Sequence, residues 1–404
     1  MTTESSPGAG TNSEATWKLV DSPKELSSLC ESLRSAGCFA LDMEFRRDKT
    51  YFARLDLVQV ATPEFVAIID PQKAGSLDPL WELIGDPAVE VVVHSGRQDL
   101  EILKEAGGPA PRNVFDTQVA ASFLGFGDQV PYNRLLAAVL GRQILKLETT
   151  SDWSRRPLSE AQIEYAIDDV RDLPELRRQL GERLSEAGRA EWAAQEMTRL
   201  EQSAATSRDP ATLWKLVAGS SRLRGRQMDV LRELAAWRES LARRRNLPRK
   251  WVVPDDVLVD IAKRMPRKLD DISSIQRLSS TVLEREGPAI LECVTKASAA
   301  PAKEPSQPDR RDPAVSAAAD MLELLLRIRG EESGVATPLL GTRSEVLDVV
   351  RWVRGESQKR PPLLDGWRGE IVGGDLVALA SGIRSLRFEP GSGKVVLEPA
   401  AGQE

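Results

Sequence analysis

The chain has 404 residues, a net charge of −6, 41 % hydrophobic and 29 % charged residues. That length exceeds one compact core and calls for two to four domains, and no apolar run reaches the ~18 residues of a membrane span. A single histidine, His94, excludes a histidine-cluster metal site, and three scattered cysteines without metal-ligand spacing fit a reducing cytoplasm.

Residues 1–15 are rich in Ser, Thr and Gly and lack the basic and apolar regions of a signal peptide, so they read as a disordered tail. Trp17 to Ala36 reads as a short strand and a helix capped at Asp21 or Ser22. Cys38 to Phe45 alternates: Phe39, Leu41, Met43 and Phe45 are apolar, with Ala40, Asp42 and Glu44 between them. Period two is the mark of a half-buried strand. Asp42 and Glu44 therefore share one face, about 7 Å apart along the chain. Two carboxylates so placed repel unless a cation lies between them, and Mg²⁺ or Mn²⁺ would suit oxygen ligands. A solvated acidic strand face is the alternative on these residues alone.

Further strands are expected at 55–61 and 65–70, joined into a hairpin by Thr62-Pro63-Glu64. A helix at 77–84 precedes the apolar run Val89 to His94, which suits a buried central strand. A helix beginning near Gly96 and a short strand at Val114-Phe115 follow. Ser159 to Gln162 has the capping-box form, Pro174 is expected to end or kink that helix, and one long helix should run from Pro174 to about Leu200. This order of elements implies a mixed sheet flanked by helices, an α/β domain over 16–205. Residues 212–297 read as an all-helical module, 298–313 as a Pro-rich linker, and 314–404 as a second helical domain ending in a small hairpin near 383–398.

Charge divides along the same lines. Residues 1–210 hold 23 Lys+Arg against 34 Asp+Glu, and residues 211–297 hold 18 against 11. An acidic first domain and a basic second one suggest chemistry in the first and anion binding in the second.

Two further acidic positions extend the pattern of the strand. Asp99 follows the strand at 89–94 through a small-residue turn and opens a helix, where open α/β sheets place their sites. Tyr165 and Asp169 stand four residues apart on one helix face. Asp168 points about 100° away, toward solvent or a basic neighbour. Asp-x-Glu on a strand, an Asp after a later strand and Tyr-x-x-x-Asp on a late helix together resemble the DEDD 3′–5′ exonucleases. More narrowly, the stretches 39–45, 94–100, 115–118, 151–158 and 165–170 are similar in sequence and order to the ribonuclease D family. Residues 215–297 look like the HRDC domain that this family shares with RecQ-type helicases, and Leu364 to Glu370 resembles a second HRDC-like unit.

The resemblance implies a ribonuclease H-like exonuclease domain followed by all-α HRDC-type domains. It implies that Asp42, Glu44, Asp99 and Asp169 hold two Mg²⁺ or Mn²⁺ ions. Asp42 would bridge them, Glu44 and Asp169 would complete one site, and Asp99 would hold the other. Tyr165 would orient the attacking water. Asp116 is read as a supporting residue and His94 as structural. The implied activity is 3′–5′ hydrolysis of structured RNA such as tRNA precursors, by a cytoplasmic monomer that uses no membrane. A DNA substrate, as for Werner-type exonucleases, and a non-catalytic nucleic-acid-binding protein are the alternatives. Arg243, Arg244, Arg245, Arg249 and Lys250 are the candidate contacts to the nucleic-acid backbone, against the alternative of ion pairs on a solvated helix face.

Overall fold

A computed structural model describes residues 16–144, 152–206, 209–299 and 312–400. The expected tail at 1–15 and residues 300–311 of the expected linker lie outside the described residues. The described chain forms two compact units. One gathers the residues up to Phe45, Leu55–Ala121 and Gln129–Ala205; the other gathers Arg46–Arg54, Ser122–Asp128 and the residues from Thr206 onward.

In the first unit, β1 (Thr16–Val20) leads into α1 (Pro23–Ala36). Ser22 caps this helix, accepting the Glu25 amide, while Glu25 Oε2 takes the Asp21 amide and the Ser22 hydroxyl. Leu26, Leu29, Cys30 and Leu33 form its buried stripe. Gly37 stops the helix at φ +69°, a left-handed conformation that glycine enters without strain. The chain then turns directly into β2 (Cys38–Arg46).

β2 sits inside a six-stranded sheet with β3 (Arg54–Ala61), β4 (Phe65–Ile69), β5 (Glu90–Val93) and β6 (Val114–Asp116), in the order β1-β4-β3-β2-β5-β6. β3 and β4 are the antiparallel hairpin expected from Thr62-Pro63-Glu64; β1 pairs parallel to β4, and β2–β5 and β5–β6 are parallel. The mixed sheet expected from the sequence is present. Val91, Val92 and Val93 are all buried, as a continuous apolar run on a central strand should be.

The remaining elements of this unit are α2 (Asp78–Ile84), α3 (Arg97–Glu105), α4 (Thr117–Ser122), α5 (Tyr132–Leu140), α6 (Glu160–Arg171), α7 (Leu173–Glu186) and α8 (Ala190–Ala205). The Ser159–Gln162 capping box starts α6 as expected. α6 ends at Arg171, just before Pro174, as expected, and Pro174 itself lies in the first turn of α7, where its missing N–H costs nothing. One expectation needs correction. The single long helix expected beyond Pro174 is two helices, because Gly188 adopts φ +67° between them.

The loop before α6 is fixed by Arg156. Its Nε lies 2.7 Å from Asp70 Oδ2 and its Nη2 lies 2.9 Å from Asp70 Oδ1. The same guanidinium reaches the carbonyls of Asp56 and Trp153, each at 2.8 Å. Asp70 is only 3 % exposed at its side chain, and this partner holds its carboxyl below the ordinary range against the opposing effect of burial.

The second unit is built mainly from helices. α9 (Arg226–Arg245), α10 (Arg249–Val252), α11 (Asp255–Arg264), α12 (Leu269–Ser273) and α13 (Ser280–Ala299) enclose one core, with Leu231, Leu234, Leu258 and Ile290 buried. Arg238 is buried there and pairs with Asp255 at 2.7 Å. Tyr51, from the 46–54 stretch, packs against the same core. The amides of Tyr51 and Phe52 both donate to Asn246 Oδ1 at 3.1 Å. α14 (Pro313–Ser333), α15 (Thr337–Leu340), α16 (Arg343–Val353), α17 (Gly366–Arg368) and α18 (Gly374–Ala380) follow. β7 (Arg384–Glu389) and β8 (Lys394–Pro399) form the expected antiparallel hairpin. Trp367 is fully buried, its ring 5.0 Å from that of Phe123.

Replacing Arg156 with Ala leaves the buried Asp70 carboxylate unpaired and is expected to cost about 3–5 kcal/mol, read as a lower urea midpoint at unchanged slope.

Candidate active site

β2 and α6 deliver the core of the site. The alternation of β2 turns Phe39, Leu41 and Met43 inward, where each is 5 % exposed or less, and leaves Asp42 and Glu44 half-buried. On α6 the i, i+4 spacing aligns Tyr165 with Asp169. One carboxylate oxygen each of Asp42, Glu44 and Asp169 lies within 4.8 Å of the others. The Tyr165 hydroxyl is hydrogen-bonded to Asp169. Its ring packs on Trp153, centroids 5.7 Å apart, within an apolar cluster that includes Leu57 and Ile68.

Asp99 stands outside that trio but close enough to act on it. It occupies the first turn of α3, is 8 % exposed, and after burial is the charge that acts most strongly on Asp42. The turn before α3 is held from one side chain. Asp116 takes the amides of Ser95 and Gly96 at 3.1 and 3.0 Å and those of Gln118 and Val119 at 2.8 and 3.3 Å. A Cβ at Gly96 would come within 2.5 Å of Val93, so only glycine allows this approach. The Asp116 carboxylate is thus occupied with backbone, and its effect on the site is to place Asp99.

His94 is fixed by two contacts. Nδ1 lies 2.9 Å from Thr117 Oγ1 and Nε2 lies 3.1 Å from the Val130 carbonyl. Asp168 pairs with Arg171 and lines the same cavity as the trio. The sequence did not single out Tyr132, the first residue of α5. It lines the same cavity of about 350 Å³ as Asp42, Glu44, His94, Tyr165 and Asp169, a size within the ~300–1,000 Å³ of small-molecule sites. No spacing signal marks it; only the fold brings α5 here.

Electrostatics fit these carboxylates to a cation. Burial and the charges of Asp99, Asp169 and Glu44 push Asp42 well above the usual carboxylate range. Burial, Asp169 and Asp99 push Glu44 up to about 8. Asp99 is pushed up to about 7, chiefly by burial. Among the described residues, Asp42, Glu44 and Asp99 have no Lys or Arg partner. A divalent cation would supply the missing positive charge. Burial, then Asp169 and Glu44, also raise Tyr165, so its phenol stays protonated near neutral pH.

The basic residues expected to contact nucleic acid lie in the second unit. Arg249 is bound to Glu239, with Nη2 at 2.8 Å from Oε1, and Arg245 pairs with Glu286. Arg243 lies over the rings of Tyr51 and Phe52, 5.6 Å from each. Arg244 and Lys250 are exposed and have no acidic partner among the described residues; Trp251, beside Lys250, is 59 % exposed.

Comparison with known proteins places this arrangement. Residues 17–185 match the 3′–5′ exonuclease family model and residues 227–294 match that of the HRDC domain. The fold and domain content are those of a hydrolytic 3′–5′ exonuclease joined to an HRDC domain, a class of fold that depends on divalent metal. The chain is 38 % identical to ribonuclease D of Granulibacter bethesdensis over 371 residues, covering 90 % of this chain and 92 % of that one. It is 40 % identical to ribonuclease D of Gluconacetobacter diazotrophicus over 369 residues, 90 % and 93 % of the two chains. The crystal structure of Escherichia coli RNase D, described as an exoribonuclease involved in structured RNA processing, superposes with a TM-score of 0.79 at 30 % identity, covering 90 % of this chain and 98 % of that one. The chain belongs to the ribonuclease D family.

The raised carboxylates give a signed expectation. Between their ordinary pKa near 4 and the folded values of about 7 and 8, the folded chain binds more protons than the unfolded one. Stability should therefore fall as pH rises through that window. In EDTA, the melting temperature of the wild type should drop from pH 5 to pH 8 more steeply than that of Asp42→Asn, and added Mg²⁺ should restore it. Equal slopes would mean that the carboxylates do not repel as described.

Proposed function

We propose that this chain removes nucleotides hydrolytically from the 3′ ends of structured RNA, with Asp42, Glu44, Asp99 and Asp169 holding two Mg²⁺ or Mn²⁺ ions and Tyr165 orienting the attacking water. The trio of Asp42, Glu44 and Asp169, with Tyr165 bonded to Asp169, is the observation that carries this reading. Support also comes from the ribonuclease D relatives, which match over nearly their whole length.

The ions, when bound, would lower the pKa of water and stabilise the departing 3′ oxygen. Asp42 would serve both ions: it belongs to the trio with Glu44 and Asp169, and Asp99 is the charge that acts most strongly on it. Tyr165 is a protonated phenol and a poor base, so its part is to hold the water for attack in line with the scissile bond. Departure of the 3′ oxygen leaves the phosphate on the released nucleotide as a 5′-monophosphate. Arg244, Lys250 and the neighbouring Trp251 supply an exposed basic and aromatic face for the RNA strand. The segment 314–404 is taken as a second HRDC-like unit, and the enzyme as a cytoplasmic monomer that trims precursors such as those of tRNA.

On 5′-labelled RNA with Mg²⁺, Asp42→Asn should abolish hydrolysis, and Tyr165→Phe should slow it by about 10²-fold with folding and RNA affinity unchanged. Wild-type turnover by purified Asp42→Asn would sink the assignment. For the basic face, Arg244→Glu with Lys250→Glu should weaken RNA binding. It should also lower the slope of log affinity against log salt by about 0.7 per lost phosphate contact. An unchanged slope removes that face from the substrate path.

A further inference from the structure

We infer that Tyr132 is a positioning residue for the substrate: its phenol hydroxyl donates a hydrogen bond to a phosphate oxygen of the 3′-terminal nucleotide bound in the acidic cavity. The inference deepens the proposed function and rests on its reading of the cavity as the nucleotide site.

The first observation is an unmet hydrogen bond. The Tyr132 hydroxyl is buried and has no partner among the described residues. A buried hydroxyl without a partner carries its full desolvation cost, which Phe at the same place would avoid. Gln59 is also buried without a partner, but it does not line the cavity. Tyr132 does, together with Asp42, Glu44 and Asp169.

The second observation is that the ring is held in place. Pro131, at φ −65°, caps α5 immediately before it, and Leu135, Leu136 and Val139 anchor the helix in the core. The ring lies against His94 at 5.3 Å, and both nitrogens of His94 are already engaged. The ring is therefore held before any ligand arrives, which is the condition for an effective positioning group.

Chemistry then selects the ligand atom. Ionised Asp42, Glu44, Asp168 and Asp169 offer only acceptors to the cavity. Ribose hydroxyls find acceptors there readily, whereas phosphate oxygens need donors. The other phenol, Tyr165, is already bonded to Asp169. Tyr132 is a neutral donor with no partner among the described residues, and a phosphate oxygen would satisfy it.

The test is Tyr132→Phe in the full-length protein, with binding and turnover both measured. Calorimetry with adenosine 5′-monophosphate and Mg²⁺ should show roughly 3- to 10-fold weaker binding than wild type, the worth of one hydrogen bond. Adenosine, measured by competition, should bind both proteins alike. On RNA, KM should rise with kcat little changed, and the melting temperature should stay level or increase, which excludes a folding defect. Equal AMP affinity in the two proteins, failure of AMP to bind the wild type, or an equal loss with adenosine would each overturn the inference. AMP binding that depends on Tyr132 in a protein whose Asp42→Asn form still hydrolyses RNA would uphold this contact while defeating the proposed catalytic roles.

Discussion

Carboxylates crowded into a largely buried site repel one another, and folding must hold them together against that force. Asp42, Glu44 and Asp169 lie within 4.8 Å, and Asp99 adds a fourth negative group at the edge. Nothing within the trio favours its own assembly. The work is done by elements that have other reasons to be where they are: an inner strand whose Phe39, Leu41 and Met43 are buried, and a helix started by a reciprocal cap. A site of this kind gains from a cation twice, through attraction and through relief of repulsion. The raised pKa values of Asp42 and Glu44 express burial first and that repulsion second.

The supports are backbone-directed. Arg156 gathers one carboxylate and several carbonyls, tying the loop before α6 to the β3–β4 hairpin. Asp116 gathers four amides and sets the start of both α3 and α4. Each group is charged, buried or nearly so, and satisfied. Buried polar groups of this kind fix a geometry more firmly than apolar packing, which tolerates sliding. Trp153 adds apolar support beneath Tyr165, so the phenol that faces the carboxylates rests on a ring that faces the core.

Much of this was legible in the residues. Alternation along 38–45 located β2 and placed Asp42 and Glu44 on one face, and the Ser159–Gln162 pattern located α6 and hence Tyr165 and Asp169. These are local signals, with periods of two and of three to four residues. What failed was also local: Gly188, a left-handed glycine, divides the stretch beyond Pro174 into two helices where one was expected. What could not be read was long-range. Arg156 meets Asp70 across 86 positions of sequence, and Tyr132 reaches the cavity only because α5 is folded beside it. The basic run at 243–250 showed its charge but not its partners, since Glu239 and Glu286 neutralise two of its arginines from other turns and helices.

The second unit draws on three separate stretches of the chain. That bears on how this enzyme can be taken apart. The short excursion between β2 and β3 begins at the end of the strand that carries Asp42 and Glu44, and its Tyr51 and Phe52 amides are held by Asn246. A nuclease fragment ended near residue 205 would keep those two aromatic residues and lose the carboxamide and the arginine that cover them. Likewise Phe123 would lose Trp367. Modular exchange of the C-terminal half with that of a relative would demand matching replacements inside the N-terminal half. Substitutions in those two short stretches and in their partners should therefore be inherited together.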